Sequence, residues 1–168
     1  ESVLPEIAQQ NLELIAYSSH PKFDELSARI QLFFSEWKPL YGLSDENAAK
    51  LIHNDGVHIL MDLSGCTAHN RLPIFTWKPA PIQISWLGYF ATTGIYEIDY
   101  ILGDPYVTPA QFDSQFSEKI YRLPKTRWCF TPPKVNIKIS PPPALTNGYV
   151  TFGCFNNLTK LNDQVIQL

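Results

Sequence analysis

Val57 to Leu63, VHILMDL, is a nearly continuous apolar run, the pattern of a parallel strand covered on both faces. Ile82 to Trp86, Ile98 to Leu102 and Lys119 to Leu123 repeat the strand character downstream, and Leu12 to Tyr17 does so upstream. Helical signals lie between them. Leu26, Ile30, Phe33 and Phe34 recur at helix spacing from about Asp24, and Ser44 stands where it caps a helix with Ala48, Leu51 and Ile52 facing inward. Asn54-Asp55-Gly56 ends that helix, Gly56 supplying the left-handed cap. A helix over Val3 to Gln10 is expected with Ser2 as its cap and Pro5 in its first turn, and another over Thr67 to Trp77. This alternation predicts an α/β fold, a Rossmann-like parallel sheet with right-handed crossovers.

The chain has 168 residues, 45% hydrophobic and 17% charged, which describes a folded core and not a disordered segment. A net charge of −3 without any Lys/Arg cluster excludes a nucleic-acid surface. Cys66, Cys129 and Cys154 have no C-x-x-C pairing, which argues against a zinc site and a disulfide framework and fits a reducing, cytoplasmic setting. No apolar run approaches the ~18 residues of a membrane span, so no membrane partner is expected. His20, His53, His58 and His69 lack metal-ligand spacing; His53 near a helix end and His58 in a buried strand read as scaffold. No D-x-D motif occurs, so neither a metal nor another cofactor is expected, and nothing supplies an oriented base beside a nucleophile.

After Trp128 the composition changes. Pro132, Pro133, Pro141, Pro142 and Pro143 mark a stiff connector, Gly148 to Phe155 reads as a new strand, and Asp163 begins a helix. The expected division is 1–130 for an N-terminal half, 131–146 for the connector and 147–168 for the start of a second half. The first residue is Glu1 and the last, Leu168, falls within a helix, so a piece of a longer protein is expected.

Two places can meet a polar ligand. The strand Ile82 to Trp86 empties into Gly88, Ala91, Thr92, Thr93 and Gly94, a small-residue loop whose N–H groups and hydroxyls are accessible. Ligands in open α/β sheets sit beyond the carboxyl ends of strands. Asp62 to Arg71 is a second strand end, with Thr67 as a cap whose helix start could hold an anion, Asp62 as a hydrogen-bonding anchor and Arg71 as the partner of a carboxylate. Further on, Lys160 follows the strand end at Phe155 by five residues, with Asn156 and Asn157 beside it. Read from spacing alone, Lys160 is an exposed lysine next to turn asparagines.

Two blocks, Asp55 to Pro109 and Gly148 to Asn162 (GYVTFGCFNNLTKLN), resemble the catalytic region of the O-GlcNAc transferase and SPINDLY family, in the family's order. The resemblance implies the two-domain GT-B architecture: most of the N-terminal half here, then the first strand of the C-terminal half. It implies a donor site at Leu87, Gly88, Tyr89 and Phe90, matching the family's W-L-G-Y-P-G-T-[ST]-G loop, with Phe90 and Ala91 replacing proline and glycine and so putting the loop's shape in question. It implies, from F-N-x-L-x-K, that Asn157 and Lys160 meet the donor diphosphate and that Lys160 is catalytic, with Asn157 where relatives can carry Gln. Cys66 stands where the family often has histidine. The activity implied is inverting, metal-free transfer of GlcNAc from UDP-GlcNAc to Ser or Thr of acceptor proteins, with tetratricopeptide repeats elsewhere in the full chain. GDP-fucose transfer and a non-catalytic scaffold are the alternatives. An active-site Asp and His that the family carries ahead of Glu1 are absent, so this stretch alone is expected to be inactive.

Overall fold

The computed structural model describes residues 2–133, 135–155 and 157–167, with Lys160 described by its main chain only. Two compact units divide at Thr131 and Pro132.

In the first unit, α1 (Leu4–Ala8) begins without a side-chain cap, and the Ser2 N–H instead donates to Thr131 Oγ1. Strands β1 (Ile15–Ser18) and β2 (Glu36–Pro39) pair in parallel across α2 (Glu25–Gln31), which Asp24 caps through the Ser27 N–H. Helix α3 (Asp45–Asn54) is capped by Ser44, buries Ala48 and Ile52, and is followed by Gly56 at φ +69, as the sequence predicts. Asp55 at its end receives the Tyr17 hydroxyl at 2.6 Å and the Lys38 ammonium at 2.7 Å, tying the small sheet to α3. Burial and then the Asp55 carboxylate push the Tyr17 phenol well above its ordinary pKa.

The main sheet is four parallel strands in chain order: β3 (Ile59–Asp62), β4 (Ile82–Ser85), β5 (Tyr100–Gly103) and β6 (Lys119–Arg122). Register places Leu60 beside Gln83, Asp62 beside Ser85, and Ser85 beside Ile101 on one face. That face meets the core of Leu40, Ala48, Ile52, Leu72, Ile74 and Phe75. The other face carries Ile59, Met61, Ile82 and Tyr121, all exposed, which corrects the expectation that β3 is covered on both sides. Among the described residues the helical members of the core cluster gather with Leu60, and the apolar run buries every second residue. His58 is likewise exposed, just ahead of β3 and not inside a buried strand.

The crossovers are shorter than expected. Between β3 and β4 lies a 3-10 helix, Leu72–Trp77, not a helix from Thr67, because His69 takes φ +62 and Pro73 resets the chain. A second 3-10 helix, Ala110–Gln115, joins β5 to β6.

In the second unit, α4 (Ala144–Asn147) closes on Gly148 at φ +74, and α5 (Asp163–Ile166) is capped by Asn162. Gly148 to Phe155 forms no strand, since no described segment of this unit supplies a ladder for it.

Candidate functional site

The loops that leave β3 and β4 at their carboxyl ends cross at two glycines. Asp62, buried, fixes the first loop: its carboxylate accepts from the Ser64 N–H at 3.1 Å, the Gly65 N–H at 2.8 Å and the Ser85 hydroxyl at 3.0 Å. It is the anchor the sequence suggested. Gly88 then lies so close that a Cβ on it would stand 2.2 Å from Ser64 C and 2.5 Å from Gly65 N, while one on Gly65 would stand 2.8 Å from Tyr89 N. Neither loop tolerates a side chain at the crossing.

Leu87, Gly88, Tyr89 and Phe90 form one turn above that crossing. The Gly88 N–H returns to the Trp86 carbonyl at 2.8 Å around Leu87, whose φ is +66. Tyr89 and Phe90 are each 51% exposed and stack on each other at 5.0 Å between centroids. Ala91 does not take a positive φ, so alanine satisfies the backbone at the position where the resemblance implies glycine.

Two features of these loops differ from the sequence reading. The hydroxyls of Thr92 and Thr93 do not await a ligand: Thr92 Oγ1 donates to Glu118 at 2.7 Å, and Glu118 also takes the Thr93 hydroxyl and, at 2.7 Å, the Thr93 N–H. Glu118 is buried beside β6, and a buried carboxylate gathers donors in this way. Thr67 caps nothing; its hydroxyl donates to the Ser64 carbonyl at 2.9 Å, and the helix start expected to hold an anion is absent. Arg71 does pair with a carboxylate, Asp45 at 2.7 Å, and forks onto the carbonyls of Leu40 at 3.1 Å and Leu43 at 3.0 Å.

Sequence reasoning missed Asp104 and Arg127. Asp104 directly follows β5 and accepts from the N–H groups of Tyr106 at 2.9 Å, Val107 at 2.8 Å and Arg127 at 2.8 Å. Burial alone would raise its pKa, but those donors and the Arg127 charge hold it below the ordinary carboxylate value. Arg127 Nη2 donates to the Gly88 carbonyl at 3.2 Å, and the Arg127 carbonyl accepts from Trp86 Nε1 at 2.9 Å. Burial pulls the guanidinium pKa down, with Asp104 opposing. A Gly-Asp-Pro strand end, Gly103 to Pro105, was the available signal for Asp104; nothing local marks Arg127.

In the second unit Asn157 caps the 3-10 helix Leu158–Lys160, its Oδ1 accepting from the N–H and hydroxyl of Thr159, both at 3.1 Å. The Lys160 side chain and all of Asn156 lie outside the described residues. Among the described residues, no three His, Cys, Asp or Glu gather as metal ligands, and no helix is long and apolar enough to cross a membrane.

Comparison with known proteins agrees with the geometry. The profile of Glycosyl transferase family 41 matches residues 5–131. The probable UDP-N-acetylglucosamine–peptide N-acetylglucosaminyltransferase SPINDLY of Eustoma exaltatum subsp. russellianum is 37% identical over 95% of this chain and 18% of its own length. The probable UDP-N-acetylglucosamine–peptide N-acetylglucosaminyltransferase SEC of Arabidopsis thaliana is 31% identical over 94% of this chain and 17% of its own length. A solved structure of a Thermobaculum terrenum O-GlcNAc transferase mutant superposes with a TM-score of 0.83 at 32% identity, over 98% of this chain and 32% of that one. The chain thus spans less than a fifth of the curated relatives and about a third of the solved chain. With its parallel sheet and glycine crossing in place across the matched residues, this chain belongs to glycosyl transferase family 41.

Proposed function

We propose that this chain is part of a protein O-linked N-acetylglucosaminyltransferase that moves GlcNAc from UDP-GlcNAc to Ser or Thr hydroxyls of acceptor proteins. The observation that carries it is the turn Leu87–Phe90, fixed at the carboxyl end of a central parallel strand in a family 41 chain. In this reading the turn forms one wall of the donor site. The stacked rings of Tyr89 and Phe90 offer an apolar surface to the sugar. Rigidity is the wall's contribution: a sugar held in one pose meets the acceptor hydroxyl without further ordering.

Departure of the nucleotide concentrates charge on a diphosphate, and a fixed cation with amide donors lowers that barrier. Lys160 is the catalytic residue of this reading. Asn157, whose carbonyl oxygen faces its own turn, presents its amide N–H groups as donors. No divalent ion takes part, in keeping with the absence of a D-x-D motif.

The test is turnover of UDP-GlcNAc and of GDP-fucose by the full-length protein, wild type and Lys160→Ala. The expected result is GlcNAc transfer by wild type and its loss in a folded Lys160→Ala protein. Turnover of GDP-fucose alone replaces the donor. Turnover of neither by a folded protein replaces the enzyme reading with that of a scaffold.

A further inference from the structure

Leu87 holds a left-handed backbone without being glycine. A three-residue turn with positive central φ is the strained member of its class, and it persists only where its surroundings leave no alternative. On one side those surroundings are backbone, Gly88 lying on Ser64 and Gly65 with no room for a Cβ. On the other side Arg127 holds the Gly88 carbonyl.

Arg127 is 2% exposed, and its Nε has no hydrogen-bond partner. Burying a guanidinium with a donor unsatisfied is costly, and an apolar side chain would fill the same space more cheaply. What the arginine gains is reach: Nη2 donates to the Gly88 carbonyl at 3.2 Å while the guanidinium carbon sits 5.1 Å from the centroid of the Trp128 ring. The tie is reciprocal. Trp86 Nε1 donates to the Arg127 carbonyl at 2.9 Å, and the Arg127 N–H is set by Asp104 at 2.8 Å. The residues on both sides of Leu87 are therefore fastened to Arg127, one to its main chain and the other to its side chain.

We infer that Arg127 is a positioning residue for the sugar-nucleotide turn, holding the Gly88 carbonyl so that Leu87 keeps its left-handed backbone and Tyr89 and Phe90 keep their place. It does not itself touch the donor. Without this hold Leu87 relaxes toward negative φ and swings the following two residues off the wall. The kinetic consequence rests on the transferase reading above; the hold itself does not.

Three variants of the full-length protein test it: Arg127→Met, which keeps length and removes the donors, Arg127→Lys, and Trp86→Phe, which cuts the return bond. Losing one charge-assisted hydrogen bond to the turn should raise KM for UDP-GlcNAc by about tenfold in Arg127→Met, with kcat within about threefold. Arg127→Lys should recover part of that, since one ammonium N–H can still reach the carbonyl, and Trp86→Phe should shift KM the same way by less. Amide hydrogen exchange over residues 86–90 should quicken in the same order. If Arg127→Met does not fold, the other two variants decide. Wild-type KM and exchange in every folded variant, or a lower melting temperature with both unchanged, overturn the inference. If wild type turns over no sugar nucleotide yet exchange quickens in the variants, the transferase reading fails and the hold stands.

Discussion

Gly88→Ala tests the crossing of the two loops most directly. The added methyl would stand 2.2 Å from Ser64 C, 2.3 Å from Ser64 O and 2.5 Å from Gly65 N, all of them backbone atoms that no rotamer change can move. Restoring ordinary contact at about 3.5 Å requires the loops to part by roughly 1 Å. That separation breaks the bond from Tyr89 N to the Ser64 carbonyl, already 3.4 Å, and stretches that from Gly65 N to Asp62 at 2.8 Å. Overpacking costs about 1–3 kcal/mol and a lost neutral hydrogen bond about 1 kcal/mol, so the substitution should destabilise by about 3 kcal/mol. For a chain of this size each kcal/mol moves the midpoint by about 2–4 °C, giving a drop of about 6–12 °C by circular dichroism. Gly94→Ala is the internal control. Gly94 has φ +72 but nothing within 4 Å of its would-be Cβ, so only left-handed strain of about 1 kcal/mol applies. A Gly88→Ala protein that melts within 2 °C of wild type, or no lower than Gly94→Ala, refutes the steric argument.

Glu118→Ala leaves the Thr93 N–H and two hydroxyls without their acceptor and should cost about 2–4 kcal/mol in urea denaturation, with Glu118→Gln losing less because it keeps one oxygen; equal midpoints for both and wild type would contradict this. Asp104 has a folded pKa below its unfolded value, so its stabilisation is fully present above about pH 4 and disappears as pH falls through the folded value. The gap in urea midpoint between wild type and Asp104→Asn should therefore be constant from about pH 8 to 5 and shrink below about pH 4; a gap unchanged at pH 2 would rule out the carboxylate as its source. Arg71→Met strips the Leu40 and Leu43 carbonyls and the Asp45 carboxylate of their donors at once, for a loss of about 2–3 kcal/mol in a thermal melt. Arg71→Lys should recover less than half, a point charge being unable to fork; full recovery would show that charge alone matters.

Strands β3, β4 and β5 of the main sheet are legible in the sequence as apolar-rich runs and β6 by Ile120 and Tyr121 between its charged ends, and the structure trims each to four residues. Strand β2 is not legible: Glu36-Trp37-Lys38-Pro39 is short and polar, and its proline argues against a ladder. Asp62 is readable because its donors Ser64 and Gly65 follow it directly at the strand end, whereas for Arg71 the sequence offers a carboxylate partner without saying which, Asp45 lying 26 residues away. Glu118 and Arg127 are not, since each acts on a loop far away in the chain, 25 residues in the case of Thr93 and 39 in that of Gly88. Only folding brings those pairs together. The same limit explains Thr92 and Thr93, which read as accessible donors because the carboxylate that takes them lies beyond the next strand.

Around the turn, the polar side chains of the first unit are engaged with the protein itself: Asp62 with the loop of Ser64 and Gly65, Asp104 with three N–H groups, Glu118 with the threonines. Two arginines of this unit are in the same condition. Arg127 is buried under Gly88, and Arg71 is forked between Asp45 and two carbonyls. Moving either onto a diphosphate would leave the part-buried carbonyl of Gly88 or Leu40 without its donor, at a cost comparable to what the new contact returns. A wall built this way orients and excludes water but cannot follow charge as it develops. Neither arginine is then available to a diphosphate, and the transferase reading gives that place to Lys160; an Arg71→Met protein with kcat intact beside a dead Lys160→Ala protein is the pattern that this division of labour demands.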